Sequence, residues 1–223
     1  GYKETSVFNE LAGGFGQSAP CHINASCPGM NGWETERRSI AMVLDGNGER
    51  FASGVLVANT CSYNIPYFLT ADHAIAGENV SQFRFSFHYI SPVCSPSQDD
   101  DINSIVFYGA TTRARIGKAD IALLELNQTL PGNLGLAYSG WSLSGTATST
   151  RALHHPQGDV MKASFDFAAP TNVFESSVFC HKVLFDQGIV EDGSSGGPLY
   201  DENRRIIGIL YGTLDPPGVA RCN

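Results

Sequence analysis

No stretch of this chain holds a helical period for long enough to make a helix of several turns. From about residue 38 it is a series of short apolar or alternating runs: Ser39–Leu44, Phe51–Val57, Pro66–Thr70, Phe83–Ile90, Ile105–Ile116 and Asp120–Leu126. Pro131-Gly132-Asn133 interrupts the pattern. A second series then runs through Leu136–Trp141, Arg151–His155, Val160–Phe167, Val178–Phe185, Pro198–Tyr200 and Arg205–Tyr211. Many short strands at regular spacing specify a sandwich or barrels, and about six strands in each half fit two small antiparallel barrels. Phe83 to Tyr89 alternates with period two, so one aromatic face is expected to be buried. Gly46-Asn47-Gly48 has the chemistry of a hairpin turn between the first two runs. The domain reading is an irregular N-terminal arm over 1–33, a first β-barrel over 34–130 and a second over 131–223.

Composition narrows the function. Only 16% of the 223 residues are charged and 24 are glycine, which disfavours a coiled coil or helical bundle. The net charge of -8 repels phosphate, so no nucleic-acid partner is expected. No apolar run is long enough to span a membrane as a helix. The start at Gly1 has no basic-then-apolar leader, so any such segment is expected to have been removed. Six cysteines, Cys21, Cys27, Cys61, Cys94, Cys180 and Cys222, are spread along the chain without a C-x-x-C pair. They point to three disulfides and an oxidising, extracellular setting, with the pairing left open. Asn24-Ala25-Ser26, Asn79-Val80-Ser81 and Asn127-Gln128-Thr129 are glycosylation triplets that matter only in a host that glycosylates.

The densest chemical signal is Asp192-Gly193-Ser194-Ser195-Gly196-Gly197-Pro198. A serine among glycines sits on a tight turn where its hydroxyl stands clear and backbone N–H groups can face a carbonyl oxygen. The same run fits the nucleophile elbow of α/β-hydrolases, but that fold needs its histidine after the serine. No histidine follows His181, which excludes it, and with it a serine esterase of that type. A base must therefore come from His22, His73, His88, His154, His155 or His181. His73 follows a buried-type strand, Phe68-Leu69-Thr70-Ala71. Asp120 opens the apolar run Ile121-Ala122-Leu123-Leu124, where a carboxylate is costly unless paired, so it invites an imidazole N–H. Neighbouring His154 and His155 would point to opposite faces of a strand, so they do not chelate one ion. Asp99-Asp100-Asp101 lacks the spaced ligands of a calcium loop and reads as a solvated turn. No metal or other cofactor is expected.

These residues resemble a known family. Thr70-Ala71-x-His73, Asp120-Ile121-Ala122-Leu123 and Gly193-x-Ser195-Gly196-Gly197-Pro198 look like the three motifs of chymotrypsin-like (trypsin-fold) serine proteases. Cys21 and Cys27-Pro28, Tyr67-Phe68-Leu69-Thr70-Ala71 and His154-His155-Pro156 add a resemblance to secreted bacterial lysyl endopeptidases, from about Gly16 to Cys222. The resemblance implies an all-β fold of two six-stranded antiparallel Greek-key barrels. It implies a secreted, monomeric endopeptidase acting on protein or peptide substrates. Ser195 would attack the scissile carbonyl, His73 would move its proton, and Asp120 would orient His73. The N–H groups of Gly193 and Ser195 would form the oxyanion hole. Tyr211-Gly212-Thr213 would pair with substrate backbone. Glu191 matches an acidic position lining the primary pocket and implies cleavage after basic residues, lysine before arginine. Cys21 would pair with Cys222 and Cys27 with Cys94, leaving Cys61 with Cys180 by elimination.

Departures from the pattern matter too. Ala74 replaces the usual cysteine after the histidine, and Ile189 stands where trypsins place the pocket aspartate. Ser194 replaces the usual aspartate before the serine, which argues against activation through a new amino terminus paired to that position. Residues 1 to about 15 have no counterpart and read as a propeptide remnant or tail. The family's second barrel continues beyond the position of Cys222 with a further strand, carrying another pocket acid, and a helix. The expectation is therefore a second barrel incomplete at its C-terminus, joined by a separate C-terminal fragment or belonging to a longer form, and weak on lysine peptides alone. The competing expectation is an inactive or truncated homologue that binds a peptide or partner.

Overall fold

The alternating run around Phe85 lies at the centre of the molecule's first core. The computed structural model describes residues 14–60, 65–99, 104–144, 146–175, 177–213 and 222. Among them the chain forms β1 (Ile23–Asn24), a single helical turn α1 (Glu34–Arg37), β2 (Ile40–Leu44), β3 (Arg50–Leu56), β4 (Tyr67–Ala71), β5 (Arg84–Phe87), β6 (Ile105–Tyr108), β7 (Ala110–Ile116) and β8 (Ile121–Leu126). The second half adds β9 (Thr150–His154), β10 (Lys162–Asp166), β11 (Thr171–Glu175), β12 (Val178–Lys182), β13 (Pro198–Asp201) and β14 (Ile206–Ile209). The fold is nearly all-β.

Strands of the first half pair antiparallel in the order β6-β5-β2-β3-β4-β8-β7. Only Gly109 separates β6 from β7, so the two are halves of one bent strand. One half pairs with β5 and the other with β8, which closes the sheet into a barrel of six continuous strands. The bend needs glycine: its φ is +74°, and a Cβ would lie 2.8 Å from the Ser81 carbonyl oxygen. Its N–H donates to Phe83 O (2.7 Å) and its carbonyl accepts from Asn127 N–H (3.0 Å).

Inside, Phe68, Phe83, Phe85 and Phe87 are buried with Leu124 and Leu126. Phe68 meets Phe85 edge to face, at 4.9 Å between centroids and 70° between planes, the geometry the ring quadrupoles favour. At the expected hairpin, Asp45 Oδ1 accepts from the N–H groups of Asn47 and Glu49 (both 2.8 Å), and Gly48 takes a positive φ. Along β8, Ala122, Leu124 and Leu126 are buried while the residues between them are only half-buried, as a period-two strand requires.

The second half forms a five-stranded antiparallel sheet, β1-β10-β9-β13-β14, and the hairpin β11-β12 lies apart from it. The arm, expected to be irregular over 1–33, contributes β1, whose Ile23 and Asn24 pair with Ala163 and Lys162. It also sends Met30 and Trp33 into the core with Leu153, Met161, Phe165, Tyr200 and Ile206. Two residues of strand are too short to leave a period; the arm is held by burial of Trp33 and Met30, by disulfides at Cys21 and Cys27, and by bonds from Gly16 and Ser18 to Asp159. The Arg151 guanidinium covers the Trp33 ring at 4.8 Å. Pro131-Gly132-Asn133 lies between β8 and β9, where the chain leaves the first sheet for the second.

Two disulfides form, Cys21–Cys222 and Cys27–Cys94, with Cα separations of 5.5 and 4.3 Å. The third pairing is corrected: Cys180, on β12, carries a free thiol, and Cys61 lies outside the described residues. Burial pushes the Cys180 thiol up, with the carboxylates of Asp120 and Glu175 adding to it.

Candidate active site

The strand β4 ends at Ala71, and the chain turns at once into a short 3₁₀ helix, His73–Ile75, that begins with His73. Asp120 ends another such turn, Gly117–Ala119, in the left-handed conformation (φ +50°, ψ +41°) immediately before β8. Because β4 and β8 are paired, with Ala71 opposite Ile121, the two turns are brought side by side. Asp120 is buried, and both its oxygens are used. Oδ1 accepts from the His73 backbone N–H at 2.8 Å, and Oδ2 faces His73 Nδ1 at 2.6 Å. A carboxylate can only accept, so Nδ1 carries a proton, and in the neutral ring Nε2 then presents a lone pair. That Nε2 lies 2.9 Å from Ser195 Oγ. His73 remains 40% exposed on its side chain, against 6% for Asp120, so the ring is open to solvent while the carboxylate beside it is not. The ring of Tyr211 stands edge-on to His73 at 5.9 Å.

Ser195 comes from the loop between β12 and β13. The glycines around it are required by geometry. Gly193 and Gly196 have φ of +86° and +82°. A Cβ on Gly196 would lie 2.2 Å from Thr70 Oγ1 and 2.3 Å from Ser53 O. The loop is thus pressed directly onto the first barrel, where Ser53 N–H donates to Ser195 O (2.8 Å) and Ser53 Oγ to Gly193 O (2.8 Å).

The directions of two N–H groups follow from their peptide partners. Asp192 O accepts from Gln157 N–H (2.6 Å), and Ser194 O accepts from Gly197 N–H (2.9 Å). In a trans peptide the N–H points opposite to the carbonyl. The N–H groups of Gly193 and Ser195 therefore point away from those partners, and neither finds an acceptor among the described residues. Two uncommitted donors next to a serine hydroxyl can hold an oxyanion.

A second serine–histidine contact lies behind the first. Ser194 Oγ is 2.8 Å from His154 Nδ1, and His154 Nε2 is 3.1 Å from Ser164 Oγ. Ser194 and His154 are both buried, so this pair cannot meet a substrate. His155 donates from Nδ1 to Asp159 O (2.9 Å). Burial holds His154 well below the ordinary histidine range and pushes His155 down to about 4.

A pH dependence of stability follows, because folded pKa values below unfolded ones mean that the unfolded state takes up protons first as pH falls. The stability from these neutral histidines is full above the unfolded value and lost on acidification, for His155 through the window from 6.5 down to about 4. Each contributes a slope of about 1.4 kcal/mol per pH unit within its window. Melting temperature should fall steadily from about pH 7 to pH 5; a flat profile would contradict the assignment.

Beside Ser195 a cavity of about 60 Å³ is lined by Val190, Glu191, Asp192, Ser194, Leu210, Gly212 and Thr213. Glu191 lines this cavity, and its Oε2 is taken by His22 Nε2 (2.7 Å) and Ala19 N–H (3.0 Å). Only Oε1 is left to face anything else. Nothing in the sequence signalled this contact, since the partners are 169 residues apart. Among the described residues no group of three or more metal-ligating side chains is found.

Two packed β-domains, with a histidine and an acid from one and a serine from the other, define the trypsin-like class of serine-protease folds. The chain belongs to the lysyl endopeptidase family: the family model described as "Lysyl endopeptidase, C-terminal domain" matches residues 15–223. The lysyl endopeptidase of Pseudomonas aeruginosa is 28% identical over 217 residues, covering 89% of this chain and 46% of that protein. The chain therefore spans less than half of the curated relative it matches. Among solved structures, the MamO protease domain from Magnetospirillum magneticum superposes with a TM-score of 0.52 at 15% identity, over 79% of this chain and 85% of that one. The Rv3671c protease of M. tuberculosis H37Rv, in its inactive form, gives 0.51 at 19% identity, over 81% of this chain and 80% of that one. These two likenesses speak for the fold.

Proposed function

We propose that this protein is a serine endopeptidase that cleaves peptide bonds after basic residues, lysine before arginine, outside the cell. The observation that carries this reading is the continuous chain Asp120 Oδ2, His73 Nδ1, His73 Nε2, Ser195 Oγ, at 2.6 and 2.9 Å, beside two N–H groups that find no acceptor among the described residues. Ser195 Oγ attacks the carbonyl carbon as His73 Nε2 takes its proton. The new oxyanion is held by the N–H groups of Gly193 and Ser195, each worth about 3 kcal/mol in comparable sites. His73 then gives the proton to the leaving amine, and water, deprotonated by the same nitrogen, releases the acyl group. Tyr211, Gly212 and Thr213 follow β14, and Gly212 and Thr213 line the cavity beside Ser195, where they would meet the backbone of an extended peptide.

Specificity rests on the cavity beside Ser195. Glu191 and Asp192 are its acidic lining residues. A lysine ammonium entering it needs an opposite charge, since burying a cation unpaired costs several kcal/mol. The remaining Oε1 of Glu191 supplies one, and the relative named a lysyl endopeptidase supports the same preference. Two disulfides support an extracellular setting. No helix among the described residues is long and apolar enough to cross a membrane.

The test is digestion of a proteome-derived peptide library. Cleavage should concentrate after lysine, and Glu191→Gln should weaken that preference by about tenfold. Dominant cleavage after aromatic or aliphatic residues, or an undiminished lysine preference in Glu191→Gln, would sink the pocket assignment.

A further inference from the structure

We propose that His22, carried on the N-terminal arm, is a positioning residue for the loop that holds Ser195. The proposal rests on Ser195 being the nucleophile but concerns a residue that never touches substrate.

The loop's geometry begins at Glu191. Ser194 N–H donates to Glu191 O (2.9 Å), and Glu191 N–H donates to Ser194 Oγ (3.1 Å). These two bonds close a turn with Gly193 at its left-handed position, and the turn aims the Gly193 N–H. Whatever fixes Glu191 therefore fixes one of the two oxyanion donors.

What fixes the Glu191 side chain is the arm. Its carboxylate receives two hydrogen bonds among the described residues, from His22 Nε2 and Ala19 N–H, both on Oε2. Burial alone would push the Glu191 carboxyl up, but those bonds outweigh it and hold the group below its ordinary range. The ion is thus present to be held. A carboxylate acceptor requires that His22 Nε2 carry a proton.

His22 has little freedom of its own. Its side chain is 1% exposed. The preceding residue is bridged to Cys222, and the arm before it is fastened to Asp159 through Gly16 N–H (3.0 Å) and Ser18 Oγ (2.6 Å). Its ring lies edge-on to His154 at 5.6 Å, and His154 Nδ1 is the other partner of Ser194 Oγ. The arm therefore braces the loop twice, by a charged bond to Glu191 and by ring packing behind Ser194.

His22→Phe keeps the ring contact and removes the donor. It should lower kcat by about tenfold to a hundredfold, as misplacement of a catalytic group does, with KM unchanged. The loss should be equal for a lysine peptide and for a small neutral ester. The rate of labelling by a fluorophosphonate should fall by the same factor. His22→Gln, whose amide N–H can still reach Glu191, should restore most of it. Amide exchange over residues 191–197 should quicken about tenfold in His22→Phe and not in His22→Gln, and this readout needs no turnover. Unchanged labelling and exchange in His22→Phe would overturn the proposal. So would an effect confined to KM for lysine peptides, which would make His22 only an aid to the pocket. A wild-type protein that is never labelled would instead sink the nucleophile assignment, while the exchange measurement still judged His22.

Discussion

Ser195→Ala should lower kcat by about a millionfold and leave the fold intact. Ser195 Oγ is the hydroxyl in contact with His73 Nε2. The backbone bond that seats the residue, Ser53 N–H to Ser195 O, does not involve the side chain. Alanine therefore removes the attacking atom and nothing that holds the loop. Ser194→Ala should cost stability and, by loosening the turn that aims the Gly193 N–H, lower kcat by far less than a millionfold. It strips the partner from His154 Nδ1 and Glu191 N–H in a buried place, which costs about 1–3 kcal/mol of stability, but spares the nucleophile. Intact mass and peptide mapping after fluorophosphonate treatment should place the adduct on Ser195. An adduct on Ser194, or wild-type turnover in Ser195→Ala, would show the assignment to be wrong.

Asp120→Asn should lower kcat by about 10⁴ through the wrong imidazole tautomer. The aspartate uses one oxygen for the His73 backbone N–H and the other for Nδ1. An asparagine has a single oxygen. If the backbone N–H keeps it, the amide NH₂ faces Nδ1 and forces that nitrogen to accept. The ring proton then moves to Nε2, and no lone pair faces Ser195. Asparagine tolerates the left-handed conformation at this position, so the backbone has little reason to change. The prediction is thus a kinetic defect without a matching loss of melting temperature. Unchanged turnover in Asp120→Asn would mean that another acid orients His73.

The first barrel was legible because its signals are local. Phe83 to Tyr89 alternates in the sequence, and Phe83, Phe85, Phe87 and Tyr89 are buried in the structure. The order of His73, Asp120 and Ser195 along the chain excluded the competing hydrolase fold, and those side chains meet. What the sequence did not disclose depends on distant partners. Strand β1 is two residues long and exists only because β10 lies beside it. Glu191 could be placed near the pocket, but no local pattern ties it to His22. Gln157 reveals nothing in sequence, yet its N–H holds the Asp192 carbonyl and so turns Gly193 N–H outward. The pairing of Cys61 with Cys180 came from arithmetic alone, and Cys180 carries a free thiol.

Because the base and its acid belong to one barrel and the nucleophile to the other, biosynthesis gives the site an order of assembly. A nascent chain whose first barrel has closed around Gly109 already aligns His73 with Asp120, but it has nothing for the pair to deprotonate. The serine loop follows about 75 residues later and is seated only when Gly196 presses onto Thr70 and Ser53. The bridge from Cys21 spans 201 residues, so it cannot form until Cys222 has been synthesised. Contacts this distant in sequence form slowly. The alignment of Asp120, His73 and Ser195 is therefore completed only after the second half of the chain has been made, an order supplied by topology to whatever cell makes it.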